Sequence, residues 1–226
     1  MGAPLLPIAY CLFFTGCASF SPPLVTEGNK ISGEQNVCPD PAISALLQKK
    51  SENLQTLKGS AQIKTVLKDG REIAGRAAII VKRPDKFRLE ISGPFNQTAF
   101  IIIYNGEKIS LFSFQENKLY TDYPLPAEAS RLPQYLLGLP SSKNSEHEAE
   151  GINSGDEQIL INHECNIKEI ISSGAKVSID SYEEIDGFNF PFAISINNKE
   201  ADIFIRYDHI ELNRHIPDDL FNWEGN

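Results

Sequence analysis

Few side chains in this chain are spaced for covalent or metal chemistry. His163-Glu164-Cys165 sets an imidazole, a carboxylate and a thiol side by side, but it lies between two alternating segments and matches no nucleophile-to-base spacing. His147, His209 and His215 are scattered, and no pair of them has metal-ligand spacing. Asp218-Asp219 reads as the start of a terminal turn. No Gly-rich phosphate loop and no Gly-x-Ser-x-Gly elbow is present. Catalysis and a bound metal are therefore not expected, and attention passes to the cysteines. Cys38 and Cys165 are free to pair outside the cytoplasm, although sequence fixes no distance between them. Cys17 closes an apolar stretch, in the order Phe14-Thr15-Gly16-Cys17-Ala18-Ser19.

That stretch, Pro4 to Phe14, is too short to span ~30 Å of hydrocarbon as a helix but suits the apolar part of an export signal. Pro4, Pro7, Pro22 and Pro23 flank or interrupt it, which argues against a buried segment of the fold. The Gly16-Cys17 junction resembles the bacterial lipobox. The resemblance implies a diacylglyceryl group on the Cys17 thiol, cleavage before it, and acylation of the new amino terminus. Ala18 in place of Asp implies by the same resemblance that a Gram-negative cell does not retain the protein in its inner membrane. Residues 1–16 are then a signal peptide, 17–39 the lipidated cysteine and a Ser/Pro/Gly/Asn-rich tether, and 40–226 the folded body. Beyond the acyl groups on Cys17, no cofactor is expected.

The formal net charge is −9, and none of it lies in residues 1–16. An acidic body argues against nucleic acid, which needs Lys and Arg to replace phosphate counterions, and against adsorption to anionic lipid through a polybasic patch. The length favours one large β-rich domain over two.

Asp40-Pro41 opens a helix of about four turns, with Ile43, Leu46, Leu47, Leu54 and Leu57 on one stripe. From Lys58 the period drops to two. Ala61, Ile63, Thr65 and Leu67 alternate with polar residues; Lys68-Asp69-Gly70 turns; Ile73 to Val81 and Phe87, Leu89 and Ile91 continue the pattern. Thr98 to Tyr104 is apolar on both faces and so needs cover on both sides. Lys108–Phe114 and Lys118–Asp122 complete a meander. Leu132, Tyr135, Leu136 and Leu139 mark a short helix. Ser141 to Gly155 is polar and reads as a mobile loop. Five strands follow, from Ile159 to Ile210, for a total of about eleven, and the end tucks Leu220 and Phe221 into the core. The expected fold is mainly β (α+β): an antiparallel, strongly curved sheet with two or three covering helices. Phe188, Phe190, Phe192, Ile194 and Ile196 line one strand face, which fits either a filled core or an apolar ligand pocket.

A tether, a helix, Leu57-Lys58-Gly59-Ser60-Ala61, then Arg88-Leu89-Glu90-Ile91-Ser92-Gly93-Pro94-Phe95 and an apolar strand ending Tyr104-Asn105-Gly106 resemble the LolA/LolB superfamily, especially LolB-like members, over roughly Ile43 to Trp223. The resemblance implies a half-open barrel of about eleven strands around an apolar cavity for lipoprotein acyl chains. Leu89, Ile91, Phe100, Ile102, Phe190, Phe192 and Ile194 are the candidate cavity residues. It also implies a membrane-engaging loop at Gly93, Pro94, Phe95 and Asn96. Phe95 is either exposed at its tip or folded back as a plug. The expected role is a non-enzymatic, monomeric outer-membrane lipoprotein facing the periplasm. It would take lipoproteins from a LolA-like periplasmic carrier and insert them in the membrane. The alternative is an envelope protein of this fold that binds another amphiphile or serves as an interaction module.

Overall fold

The alternation from Thr56 onward builds one twelve-stranded antiparallel sheet in the order β6-β5-β4-β3-β2-β1-β12-β11-β10-β9-β8-β7. The computed structural model describes residues 38, 40–93, 95–121, 130–140, 152–154 and 157–223. The signal, the tether with Cys17, Pro94 and most of the 141–155 segment lie outside them. Helix α1 is Asp40–Asn53. The first meander is β1 Thr56–Leu67, β2 Glu72–Lys82, β3 Lys86–Ser92, β4 Thr98–Asn105, β5 Ile109–Ser113 and β6 Lys118–Thr121. Helix α2, Leu132–Leu136, precedes β7 Ile152–Ser154, β8 Glu157–Ile161, β9 Ile167–Ile171, β10 Ala175–Ile185, β11 Phe188–Asn198 and β12 Ala201–Leu212. β7 corrects the reading of 141–155 as loop throughout. Ile-Asn-Ser is too short and polar to alternate visibly, and it is recruited by backbone pairing of Ile152 with Ile159.

Register carries the period-two pattern across the sheet. Leu57, Ala61 and Ile63 of β1 lie beside Val81, Ala77 and Gly75 of β2, and Val81 and Ala77 in turn beside Phe87 and Ile91 of β3. On the other side of β1 they meet Leu212, Tyr207 and Ile205 of β12. One face is therefore apolar across these strands, and it holds the main core, with Leu57, Ile79, Val81, Phe190, Ile194 and Tyr207 buried. The sheet is open: β6 and β7 are its two edges. Register shifts at Ser60/Ala61, Ile91/Ser92, Leu160/Ile161 and Ile179–Tyr182 give the local twist by which such a sheet curves round its helices.

Both helices lean on this face. Leu54 is fully buried just after α1, and Leu47 packs on the core, while Leu46 is exposed and corrects its place on the stripe. The packed row runs through Leu47 and Lys50 instead. The half-buried ammonium of Lys50 sits 5.4 Å from the Tyr182 ring centre, and desolvation lowers its pKa to about 8. Arg83 closes the helix by donating to the Ser51 and Leu54 carbonyls. Helix α2 is held by a buried network: Arg131 pairs with Glu157 at 3.2 Å and the Tyr135 hydroxyl donates to it at 3.0 Å. Burial, then the Glu157 charge, push the Tyr135 hydroxyl up to about 12. After α2 the chain turns at Gly138, whose φ is +61° and where a Cβ would lie 2.6 Å from Pro191 Cγ of β11.

The other face carries a second, smaller core. Ile101 and Ile103 of β4 are covered by Ile216 and Phe221, with Ile80, Phe112 and Trp223 beside them. That is the two-sided cover β4 requires. The 3-10 turn Asp218–Phe221 buries Phe221 but leaves Leu220 exposed, correcting the expectation that both tuck in, because successive residues of a three-per-turn helix point about 120° apart. Lys86 and Lys82, each 2.9 Å from Asp218, hold that carboxyl down at about 2.

Cys38 and Cys165 form a disulfide across a sequence separation of 127, fastening the lead into α1 to the β8–β9 turn. A loop of this length implies up to about 5 kcal/mol of stabilisation in the chain-entropy account, with 2–4 typical. Reduction, or Cys165→Ser, is expected to lower the unfolding midpoint in urea by the equivalent of about 2–5 kcal/mol. An unchanged midpoint would show that the crosslink constrains little.

Candidate functional site

The candidate site is the part of the apolar face that the helices leave uncovered. Register places Leu89 and Ile91 of β3 beside Ile102 and Phe100 of β4, and Ile102 beside Leu111 of β5. All seven candidate cavity residues lie on this same face, but at two depths. Phe190 and Ile194 are fully buried, and the Phe190 ring stands edge-on to Tyr207 at 5.9 Å. They are filled core, in line with the first of the two readings of that strand. Tyr207 itself donates to the Leu136 carbonyl of α2, and burial raises its hydroxyl pKa. Leu89, Ile102 and Phe192 are half-buried and pack on the core, whereas Ile91 and Phe100 are half-buried beyond it. Ile73 and Leu111 are half-buried on the same face. The burial thus grades from a closed floor beneath α2 to a partly open apolar rim at the β3–β4 end.

The loop at that rim is built by its own hydrogen bonds. Gly93 N–H donates to Gln97 O at 2.8 Å and Asn96 N–H to Gly93 O at 3.0 Å. Phe95 N–H donates to Gln97 Oε1 at 3.0 Å. Asn96 takes a left-handed φ of 60°, which Asn tolerates. These bonds fix the backbone while Phe95 remains 88 % exposed, so the plug alternative does not describe this structure. A phenyl ring in water forgoes roughly 1.5–3 kcal/mol that burial would return, and it regains that on entering an apolar phase.

His163-Glu164-Cys165 is not assembled into a nucleophile and its base. Cys165 is committed to the disulfide and His163 is exposed. No group of three or more His, Cys, Asp or Glu is placed to hold a metal among the described residues. A groove of about 390 Å³ opens among Asn53, Gln55, Thr56, Lys82 and residues 213–216, and it contains none of the candidate cavity residues. No helix among the described residues is long and apolar enough to cross a membrane. Sequence reasoning missed the Arg131–Glu157–Tyr135 network and the exposed Phe114. The former joins residues far apart in sequence, whereas the latter was visible as an outward position alternating with Leu111 and Ser113.

Set against known proteins, the chain has the fold of the LolA superfamily. A LolA superfamily protein from Nitrosomonas europaea superimposes with a TM-score of 0.54 at 13% identity, over 80% of this chain and 98% of that one. A DUF1329 family protein from Desulfovibrio piger superimposes with a TM-score of 0.52 at 11% identity, over 81% of this chain and 97% of that one. Residues 44–137, less than half of the chain, match the family described as predicted periplasmic protein (DUF2092). No curated protein matches in sequence.

The two depths separate in a melt. Phe190→Ala is expected to cost roughly 3–5 kcal/mol, the usual loss for emptying a closed aromatic site. Phe95→Glu is expected to change stability by about 0.5 kcal/mol or less, as at most exposed positions. Thermal unfolding of both variants checks this, and a strongly destabilised Phe95→Glu would place that ring in the core.

Proposed function

We propose that this protein is a non-enzymatic, lipid-anchored envelope protein that takes acyl chains of lipoproteins onto its open apolar rim and releases them into the outer membrane. The observation that carries the reading is the juxtaposition at one end of the sheet: half-buried Ile91 and Phe100 facing inward, and the 88 % exposed Phe95 on a hydrogen-bonded loop beside them. The Cys38–Cys165 disulfide supports an oxidising compartment, since such crosslinks are rare in the cytosol. The LolA-like fold and the partial match to a family described as periplasmic point the same way. In this reading Cys17 carries the acyl anchor, and a periplasmic carrier of LolA type is the donor.

The physics is one of intermediate solvation. Each buried CH₂ contributes about 0.8 kcal/mol, so an acyl chain cannot cross water bare, yet a site that held it as well as a bilayer would not release it. A partly open rim above a filled floor meets that condition, because part of the chain stays solvated by the protein alone and part remains available to the membrane.

The full chain purified from its host is expected to show an acylated Cys17 by mass spectrometry, to bind a fluorescent fatty acid saturably, and to pass a labelled lipoprotein to liposomes. Phe95→Glu is expected to melt normally and to lose delivery, because a charge at the tip opposes entry into hydrocarbon. Saturable lipid binding without lipoprotein transfer would favour an envelope protein for another amphiphile. No saturable binding at all would overturn the proposal.

A further inference from the structure

Phe95 is not alone at its end of the sheet. Phe114 follows β5 and is 47% exposed in the β5–β6 turn. Pairing of Phe100 with Ser113 and the 3.0 Å bond from Phe114 N–H to Ala99 O set this turn on the same rim as the β3–β4 loop. We propose that Phe114, braced by Phe112 and Trp223, is a second bilayer-contacting side chain, so that the rim meets phospholipid at two points. The inference rests on the membrane-facing role of the rim proposed above.

The Phe114 ring is the outer end of an aromatic stack. Phe114 stands edge-on to Phe112 at 4.8 Å, and Phe112 stacks on Trp223 at 4.5 Å. Trp223 is held in turn by the C-terminal segment, through buried Phe221, the Lys82 and Lys86 contacts to Asp218, and Arg88 donating to Leu220 O. A ring already ordered in this way loses little conformational freedom when it docks. The apolar patch is also local. The same face of β1 presents Lys58, Ser60, Gln62 and Lys64, and that of β12 presents Arg206 and Asp208 with one exposed ring, Phe204 at 44%, which is paired with Lys64 and Ser195 rather than joined to an aromatic stack.

The anchor permits such an orientation. The disulfide joins Cys38 to the β8–β9 turn, which lies at the other end of its hairpin from the Phe95 and Phe114 rim. The segment from Cys17 to Cys38 reaches ~70 Å when extended. β1, with 12 residues, rises ~40 Å. A lipid on Cys17 therefore leaves the far rim free to lie on the same bilayer. With a net charge of −9 on the chain, the contact is apolar rather than electrostatic, and it should survive high salt.

Trp223 is the one tryptophan of the chain and lies within the patch, so it reports on it directly. The experiment reconstitutes the full chain into phosphatidylcholine vesicles with and without brominated acyl chains and compares wild type with Phe114→Ser, Phe114→Leu and Phe95→Ser. Wild-type Trp223 fluorescence is expected to be quenched by the brominated lipid, equally at low salt and 1 M NaCl. Phe114→Ser is expected to lose at least half of that quenching with unchanged melting and vesicle flotation, and Phe114→Leu to keep most of it. Equal quenching in wild type and Phe114→Ser would overturn the second contact, and if Phe95→Ser alone lost it the rim reading would stand. Flotation without quenching, or a Phe114-dependent dimer in its place, would also overturn the inference. Failure to float with vesicles would overturn the anchored reading beneath it.

Discussion

The fold depends on the position of β1 between β2 and β12. Every other strand reaches the core through this one pairing: β2–β6 hang from its first side by hairpins, and β7–β11 hang from β12 on its second. Leu57 pairs with Leu212 and Leu67 with Ala201, so the two meanders become a single curved sheet only when distant parts of the chain meet. Such contacts carry the loop-closure cost that slows β folding. Where the β12 register slips at Ser60/Ala61, the strands approach so closely that a Cβ on Gly59 would lie 2.7 Å from the His209 carbonyl oxygen. A glycine in the Leu57–Ala61 segment is therefore required by the bulge that curves the sheet, and the curvature is what gives the apolar face an inside.

The proposed holding and release of an acyl chain requires an inside that is closed at one end and open at the other. Helix α2 closes it. Its five residues are too few to be stable alone, and they are fixed from outside: Glu157 of β8 accepts Arg131 and Tyr135, Tyr207 of β12 donates to Leu136 O, and Gly138 lies against Pro191 of β11. The carboxylate of Glu157 is wholly buried, a costly placement that its partners offset and that ties α2 to one location. Floor residues Phe190, Ile194 and Tyr207 are then packed to completion, while Ile91 and Phe100, further along the same face, are only half covered.

How far this was legible in the sequence follows from the range of each interaction. Period-two alternation is local, so the strands and the face of each apolar residue could be read directly, including the two-sided character of Thr98–Tyr104. Loop chemistry is local too, and Gly93, Asn96 and Gln97 build the turn that presents Phe95. What could not be read was set by packing and pairing partners rather than by a residue's own alternation. β7 exists because β8 pairs with it, and the Cys38–Cys165 crosslink needed a distance no sequence supplies. Leu46 was misplaced because a stripe of apolar residues does not say which of two adjacent leucines faces the sheet; Leu47 does. The depth of Phe190 against that of Phe100 was likewise undecidable, since both alternate correctly and only the docking of α2 distinguishes floor from rim.

The two cores divide the labour of the sheet. The inner one is closed by α2 and grades into the open rim. The outer one, built on Ile101, Ile103, Ile216 and Phe221, fixes the C-terminal segment and through Trp223 and Phe112 the ring of Phe114. β4 contributes to both, with Phe100 and Ile102 inward and Ile101 and Ile103 outward. It is also continuous with the loop that carries Phe95. A load applied to the rim, such as contact with an apolar phase, is therefore borne by a strand packed on both faces rather than by a free loop. That rigidity matters because the favourable transfer of one or two aromatic rings is only a few kcal/mol, and ordering a mobile loop at about 1–2 kcal/mol per residue would cancel it. A self-bonded loop on a doubly covered strand keeps that gain for the membrane contact proposed above.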